Sequence, residues 1–222
     1  MSILSDVEVC KLIKKGDVVI DPYFSEFHGP NLYYCHLGNK FLIPKKVTKV
    51  NPLIYETKDI YDEVCTQEPI DLGPGKFILA ETFEYLGIGV DYVVRLLNSS
   101  SLARVGISQA AVGMINSGCG MKNPIKLTLE LVNNAPFCVT LVPTIINSKG
   151  KISWGTEILK IAVEKMNTTP SVSYDNWKSA VYHTDQKPSG PKMKGRFIIR
   201  KSILPIESIY RTKLKKTLSE ST

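Results

Sequence analysis

Asn98-Ser99-Ser100-Ser101-Leu102-Ala103-Arg104 is the densest polar cluster in the chain. It follows the apolar run Val93 to Leu97, so three hydroxyls, several backbone amides and a guanidinium fall at the end of a predicted strand. Such a group can donate many hydrogen bonds to phosphate oxygens. The same residues also suit a helix cap and turn. The second candidate is Glu130. In Ile125-Lys126-Leu127-Thr128-Leu129-Glu130-Leu131 the odd positions are apolar and the even ones polar, which puts the Glu130 carboxylate on the face opposite Leu129 and Leu131. Alternation alone describes a solvated carboxylate on a half-buried strand.

Metal chemistry finds little in the sequence to work with. Cys10, Cys35, Cys65, Cys119 and Cys138 are scattered, with no Cys-x-x-Cys to supply paired thiolates. His28, His36 and His183 stand in Phe-His-Gly, Cys-His-Leu and Tyr-His-Thr contexts, none of them the His-x-Glu half of a zinc deaminase site. We expect packing or surface histidines, reduced thiols and no metal ligands. The net charge of +7 is concentrated at one end. From Lys178 onward there are eleven lysines and arginines against Asp185, Glu207 and Glu220. Such a segment suits a solvated tail, a polyphosphate or nonspecific nucleic acid.

The elements that must position these residues read mainly as β. Ser5 and Glu8 form a capping box, Val9, Leu12 and Ile13 an apolar stripe, and Gly16 a stop, which predicts one short N-terminal helix. After Asp21-Pro22 come short apolar runs: Lys40 to Ile43, Lys76 to Phe83, Tyr92 to Leu97, Ile125 to Val132, Phe137 to Val142 and Ile158 to Val163. Many short strands in a chain of 222 residues, 43% hydrophobic, predict one β sandwich or barrel. Asn116 to Pro124 and Asn147 to Gly150 read as surface loops. From about Asn167 the composition turns to Thr, Ser, Pro, Lys and Gly, so we expect a β domain over 1–166 and a flexible basic arm and tail over 167–222. Leu204 to Leu218 has the spacing of a basic helix. No run approaches the roughly 20 apolar residues of a membrane span, and the N-terminus lacks a signal-peptide layout. A cytoplasmic location is expected.

Five segments carry a resemblance. Ile3-Leu4-Ser5-Asp6, Leu37-Gly38-Asn39-Lys40-Phe41, Leu79-Ala80-Glu81-Thr82 before Glu84-Tyr85-Leu86, Ser100-Ser101-Leu102-Ala103-Arg104-Val105-Gly106, and Leu127-Thr128-Leu129-Glu130-Leu131-Val132-Asn133 occur in the order seen in dCTP deaminases. The chain resembles a divergent member over roughly residues 1 to 190, departing from the family pattern at Tyr34, Asn98-Ser99, Asn116 and Val181. The resemblance implies a distorted β jelly roll of the dUTPase-like type, assembled as a homotrimer with sites between subunits, each closed by a C-terminal arm.

For function, the resemblance implies zinc-independent hydrolytic deamination of dCTP to dUTP and ammonia. The alternatives are a dUTPase or bifunctional deaminase/dUTPase, and a catalytically silent nucleotide-binding regulator. By the same resemblance Glu130 activates water, Ser100 positions base or water, and Arg104 anchors phosphates. Ser99, Ser101 and Asn116 bind substrate, as do Tyr174, Tyr182 and Gln186 of the arm. Mg²⁺ would accompany the triphosphate of dCTP, or of dUTP or dTTP. A membrane partner is not expected, and nucleic acid is a lesser alternative through the tail.

Overall fold

The computed structural model describes residues 2–196 and 198. The expected helix at Leu204 to Leu218 lies outside them. Among the described residues the strands are β1 (Ser2–Ile3), β2 (Val18–Asp21), β3 (Tyr33–Pro44), β4 (Tyr61–Cys65), β5 (Ile70–Leu72), β6 (Phe77–Thr82), β7 (Tyr85–Ile88), β8 (Tyr92–Asn98), β9 (Ile107–Gln109), β10 (Met114–Ile115), β11 (Thr128–Asn133), β12 (Val139–Leu141), β13 (Ile145–Ile146), β14 (Ile152–Ser153) and β15 (Glu157–Lys165). Three α-helices, α1 (Asp6–Lys15), α2 (Thr57–Ile60) and α3 (Ser100–Ala103), and two 3₁₀ turns, Ser25–Phe27 and Tyr174–Asn176, join them.

The helix α1 forms where the capping box predicts it. The Ser5 hydroxyl accepts from the Glu8 N–H while the Glu8 side chain accepts from the Ser5 N–H, and Gly16 ends the helix at φ 78°. Val9 and Leu12 are its buried residues. Each such burial contributes about 1.5–3 kcal/mol.

The main sheet is antiparallel in the order β10-β8-β15-β3-β6-β11-β9, with β1 added to β15 and β4 to β3. Its curl originates in β3. The first half of that strand pairs with β15 through Tyr33 to His36, and the second half with β4 and β6. The register slips between Leu37 and Phe41, an irregularity of the kind that bends a strand and increases its twist. Gly38 sits in this bend, where an added Cβ would lie 2.6 Å from Glu81 Cγ. The sheet thus wraps into a half-barrel over a core that includes Tyr33, Leu37, Phe41, Leu129, Leu131 and Leu159, all at most 1% exposed. The pairs β2–β7, β5–β12 and β13–β14 form three further two-stranded sheets.

All six expected runs contain strands, with shifted ends. Lys40 to Ile43 is only the end of β3, whose first half is buried on both faces and shows no alternation. Ile125 to Val132 becomes β11 only from Thr128. Ile125 makes an isolated bridge to Leu86, and the Lys126 N–H donates to the Asp185 carbonyl at 2.9 Å, so these residues spend their backbone bonds outside the ladder. The five cysteines are free. His36 is a core residue: its Nδ1 lies 2.8 Å from Glu84 Oε1 and its backbone N–H donates to Glu84 Oε2. Among the described residues no helix is long and apolar enough to cross a membrane.

Candidate active site

β11 alternates half-buried and buried residues from Thr128 to Asn133, and Glu130 falls in the half-buried phase opposite Leu79 of β6. The carboxylate lines a cavity of about 570 Å³. Leu79, Leu96, Ile125 and Leu127 give this cavity apolar walls, and Tyr61, Lys126 and Thr128 add polar groups. Burial pushes the Glu130 carboxyl above its ordinary range, and its own backbone amide partly offsets this. Tyr61, at the start of β4, is likewise pushed up by burial and by the nearby Glu130 charge. A carboxylate so raised is a better proton acceptor than one in water.

The chain beyond β15 roofs this cavity. Tyr182, Asp185, Ser189, Gly190 and Pro191 stand in its wall. The Ser189 N–H donates to Thr128 Oγ1 at 3.1 Å, the Gly190 N–H to Thr57 Oγ1 at 3.0 Å, and the Ser189 hydroxyl to Asp185 Oδ2 at 2.6 Å. The Lys192 ammonium pairs with Asp185 Oδ1 and lies 5.1 Å over the Tyr182 ring. The Gln186 side-chain amide donates to the Pro124 carbonyl at 2.7 Å. Upstream, the Tyr174 N–H donates to the Ser117 carbonyl at 2.8 Å, and both Asp175 carboxylate oxygens accept backbone N–H groups of residues 120–122.

Of the residues expected from sequence, one chain brings Tyr182 to Glu130. Asn116 and Tyr174 line a separate cavity of about 240 Å³ with Val93 and Trp177. Gln186 faces a lysine-rich cavity of about 740 Å³ that shares Tyr61, Asp185 and Ser189 with the Glu130 cavity. Ser100, Ser101 and Arg104 are exposed on and just after α3, outside the Glu130 cavity, while Ser99 is buried before the helix with no side-chain cap bond. Sequence reasoning missed Tyr61, Lys126, Thr128, Asp185 and Ser189. Lys126 and Thr128 share the strand phase of Glu130, which could have singled them out. Nothing in the sequence tied residues 185 and 189 to them.

Among the described residues no three or more of His, Cys, Asp and Glu gather closely enough to hold a metal ion. The acids of the lysine-rich cavity are ion-paired, Asp62 with Lys45 at 3.5 Å, Glu63 with Lys187 at 2.7 Å, and Asp185 with Lys192. They form no free oxygen set for a divalent cation.

A model of the family described as dCTP deaminase-like matches residues 3–144. A protein of Methanopyrus kandleri named dCTP deaminase, dUMP-forming, is 30% identical over 204 residues, covering 87% of this chain and 96% of that one. A protein of the same name from Methanobrevibacter smithii is 27% identical over 209 residues, covering 90% and 100%. The crystal structure of 2'-deoxycytidine 5'-triphosphate deaminase from Agrobacterium tumefaciens superposes with a TM-score of 0.54 at 16% identity over 73% of this chain. It shares the fold, and the match spans about half of that longer chain, 47%.

Proposed function

The chain belongs to the dCTP deaminase-like family, and from that premise we propose that it hydrolyses dCTP to dUTP and ammonia with Glu130 as the base. The observation that carries this reading is a half-buried carboxylate, raised by burial, in an apolar cavity roofed by the arm. Water bound beside Glu130 gives one proton to the carboxylate as its oxygen adds to C4 of the cytosine and the C4–N3 π pair moves onto N3. The protonated Glu130 then passes that proton to the exocyclic nitrogen, the exocyclic C–N bond breaks and ammonia leaves, and the remaining hydroxyl proton goes to N3 as the C4 carbonyl forms. Apolar walls and the roof restrict bulk water, which keeps the charge on Glu130 poorly solvated and basic. Mg²⁺ enters with the triphosphate, whose charge it offsets; no residue of the chain is assigned to it.

Ser100 and Arg104 complete the site in this reading from a neighbouring subunit of a homotrimer, Ser100 holding base or water and Arg104 the phosphates, with Ser99 and Ser101 beside them. That neither of them lines the Glu130 cavity within one chain is what motivates a shared site. Light scattering of the purified protein is expected to return about three times the 24.7 kDa chain mass. A monomer at micromolar concentration would remove the shared site.

A second reading carries the reaction on to dUMP and diphosphate. The name dCTP deaminase, dUMP-forming, borne by both relatives favours it. Asn116 stands against it, because the resemblance places there an aspartate that orients the water for phosphate hydrolysis. Incubating the protein with dCTP and Mg²⁺ and separating the products distinguishes the two. dUTP with ammonia supports the first reading, dUMP with diphosphate and ammonia the second, and unchanged dCTP refutes both. Glu130→Gln is expected to keep nucleotide binding and lose at least about 10²-fold in turnover.

A further inference from the structure

Lys126 lies four residues before Glu130, in the same phase of the chain. Glu81 joins their face of the sheet because it pairs directly opposite Thr128. The Lys126 ammonium is 3.1 Å from Glu81 Oε1, 4.9 Å from the centre of the Tyr85 ring and 5.8 Å from that of Phe83. Its side chain is 10% exposed and that of Glu81 is 0%. An ammonium has three N–H donors, and Glu81 Oε1 is the oxygen that accepts from it among the described residues. The other carboxylate oxygen, Glu81 Oε2, is buried with no hydrogen-bond partner among them. Burial raises the Glu81 carboxyl, and Lys126 pulls it back.

Stability does not account for this pair. Two charges taken out of water lose hydration that their mutual attraction restores only with well-satisfied geometry, and an apolar pair of equal volume is often as stable. A carboxylate oxygen left unpaired makes the balance worse. What the pair does provide is a cation, already stripped of most of its water, in the wall of the cavity that holds Glu130. Leu79, Leu96, Ile125 and Leu127 line the same cavity and carry no side-chain donor. An oxygen acceptor entering the cavity would meet N–H groups that have already lost most of their water.

We propose that Lys126 is a second substrate-contacting residue of this cavity, donating to an oxygen of the bound nucleotide, and that Glu81 is the positioning residue that holds it there. The inference rests on the reading of the cavity as a deoxycytidine nucleotide site. The shared chemistry is an electron-rich oxygen, supplied either by the pyrimidine carbonyl or by a phosphate. Lys126 acts in binding and orientation; proton transfer stays with Glu130.

The test is calorimetric titration of the parent, Lys126→Met, Lys126→Arg and Glu81→Gln with deoxycytidine, dCMP and dCTP, beside the thermal midpoint of each protein. Methionine keeps the length and apolar stem without the charge. Lys126→Met is expected to bind about 10-fold or more weakly, the scale of one lost charge-assisted hydrogen bond, and its midpoint to fall because Glu81 is left buried without its partner. Glu81→Gln is expected to weaken binding less, and to raise KM for dCTP more than it lowers kcat. If the Met variant fails to fold, Lys126→Arg, which keeps the charge but moves it, should fold and bind between parent and Met. A loss of equal size for all three ligands assigns the base carbonyl, and a loss confined to dCMP and dCTP assigns a phosphate. Parent-like affinity of Lys126→Met, or of Lys126→Arg if only that variant folds, for all three ligands overturns the inference while leaving the nucleotide site standing. A parent protein that binds none of the three removes the site reading and this inference with it.

Discussion

Asp175 ties the start of the arm to the loop before β11, and its contribution can be worked out bond by bond. Oδ1 accepts from the Gly120 N–H at 2.9 Å, and Oδ2 from the Met121 and Lys122 N–H groups at 3.0 Å each. Gly120 is buried, whereas Met121 and Lys122 are exposed and their amides can turn to water. Asp175→Asn keeps the size and one acceptor oxygen. With that oxygen on Gly120, its amide NH₂ faces two N–H groups, and the loss is about 1–2 kcal/mol. Asp175→Ala also leaves the buried Gly120 N–H without an acceptor, which adds about 1–3 kcal/mol, and the total is about 2–5 kcal/mol. Urea unfolding of the three proteins, compared at constant m, measures the differences. Hydrogen exchange at residues 120–122 should accelerate in both variants. An alanine variant as stable as the parent, or no less stable than the asparagine variant, would refute the assignment of these bonds as an anchor.

Glu130 has its pKa raised by burial, so between the unfolded value of about 4.3 and the raised one the native chain holds a proton that the unfolded chain has lost. Its contribution therefore makes stability fall as pH rises through that window, and Glu130→Gln should flatten the slope and leave stability at neutral pH equal to the parent's or higher, as read by urea titration at several pH values. Activity should run the other way, with kcat/KM falling on the acid side at a higher pH than an ordinary glutamate would give, because only the ionised form accepts the proton. His36→Leu leaves Glu84 Oε1 buried without its partner and should cost about 3 kcal/mol or more; urea unfolding within 1 kcal/mol of the parent would contradict this. Gly106 turns the chain from α3 into β9 at φ 83°, where an added Cβ would lie 2.5 Å from the Ala135 Cβ. Gly106→Ala should cost at least about 1–3 kcal/mol, checked by thermal unfolding.

What could be read from the sequence was local. The Ser5–Glu8 box and Gly16 fix α1 through contacts three to four residues apart, and the alternation around Glu130 fixes which side of β11 it occupies. Lys126 was visible as an even position of the same run. Its partner Glu81, held opposite Thr128 by strand pairing, was not. Asp185 and Ser189 reach Lys126 and Thr128 through backbone bonds that any residue type could make, so no residue pattern announces them. The first half of β3 was missed for a different reason: a strand buried on both faces loses the alternation by which strands are recognised. Asn116 and Tyr174 were grouped with the Glu130 site by resemblance, and a single chain gives them a cavity of their own.

The placement of the serine–arginine turn outside the Glu130 cavity has a genetic consequence. If each site takes its carboxylate from one chain and its guanidinium from the next, the two halves can be inactivated in different molecules and recovered by mixing. In trimers assembled at random from equal amounts of Glu130→Gln and Arg104→Ala chains, about one quarter of the sites would combine two intact halves. Two separately inactive proteins, unfolded and refolded together, would then regain activity that neither shows alone. A site built within one chain would regain none.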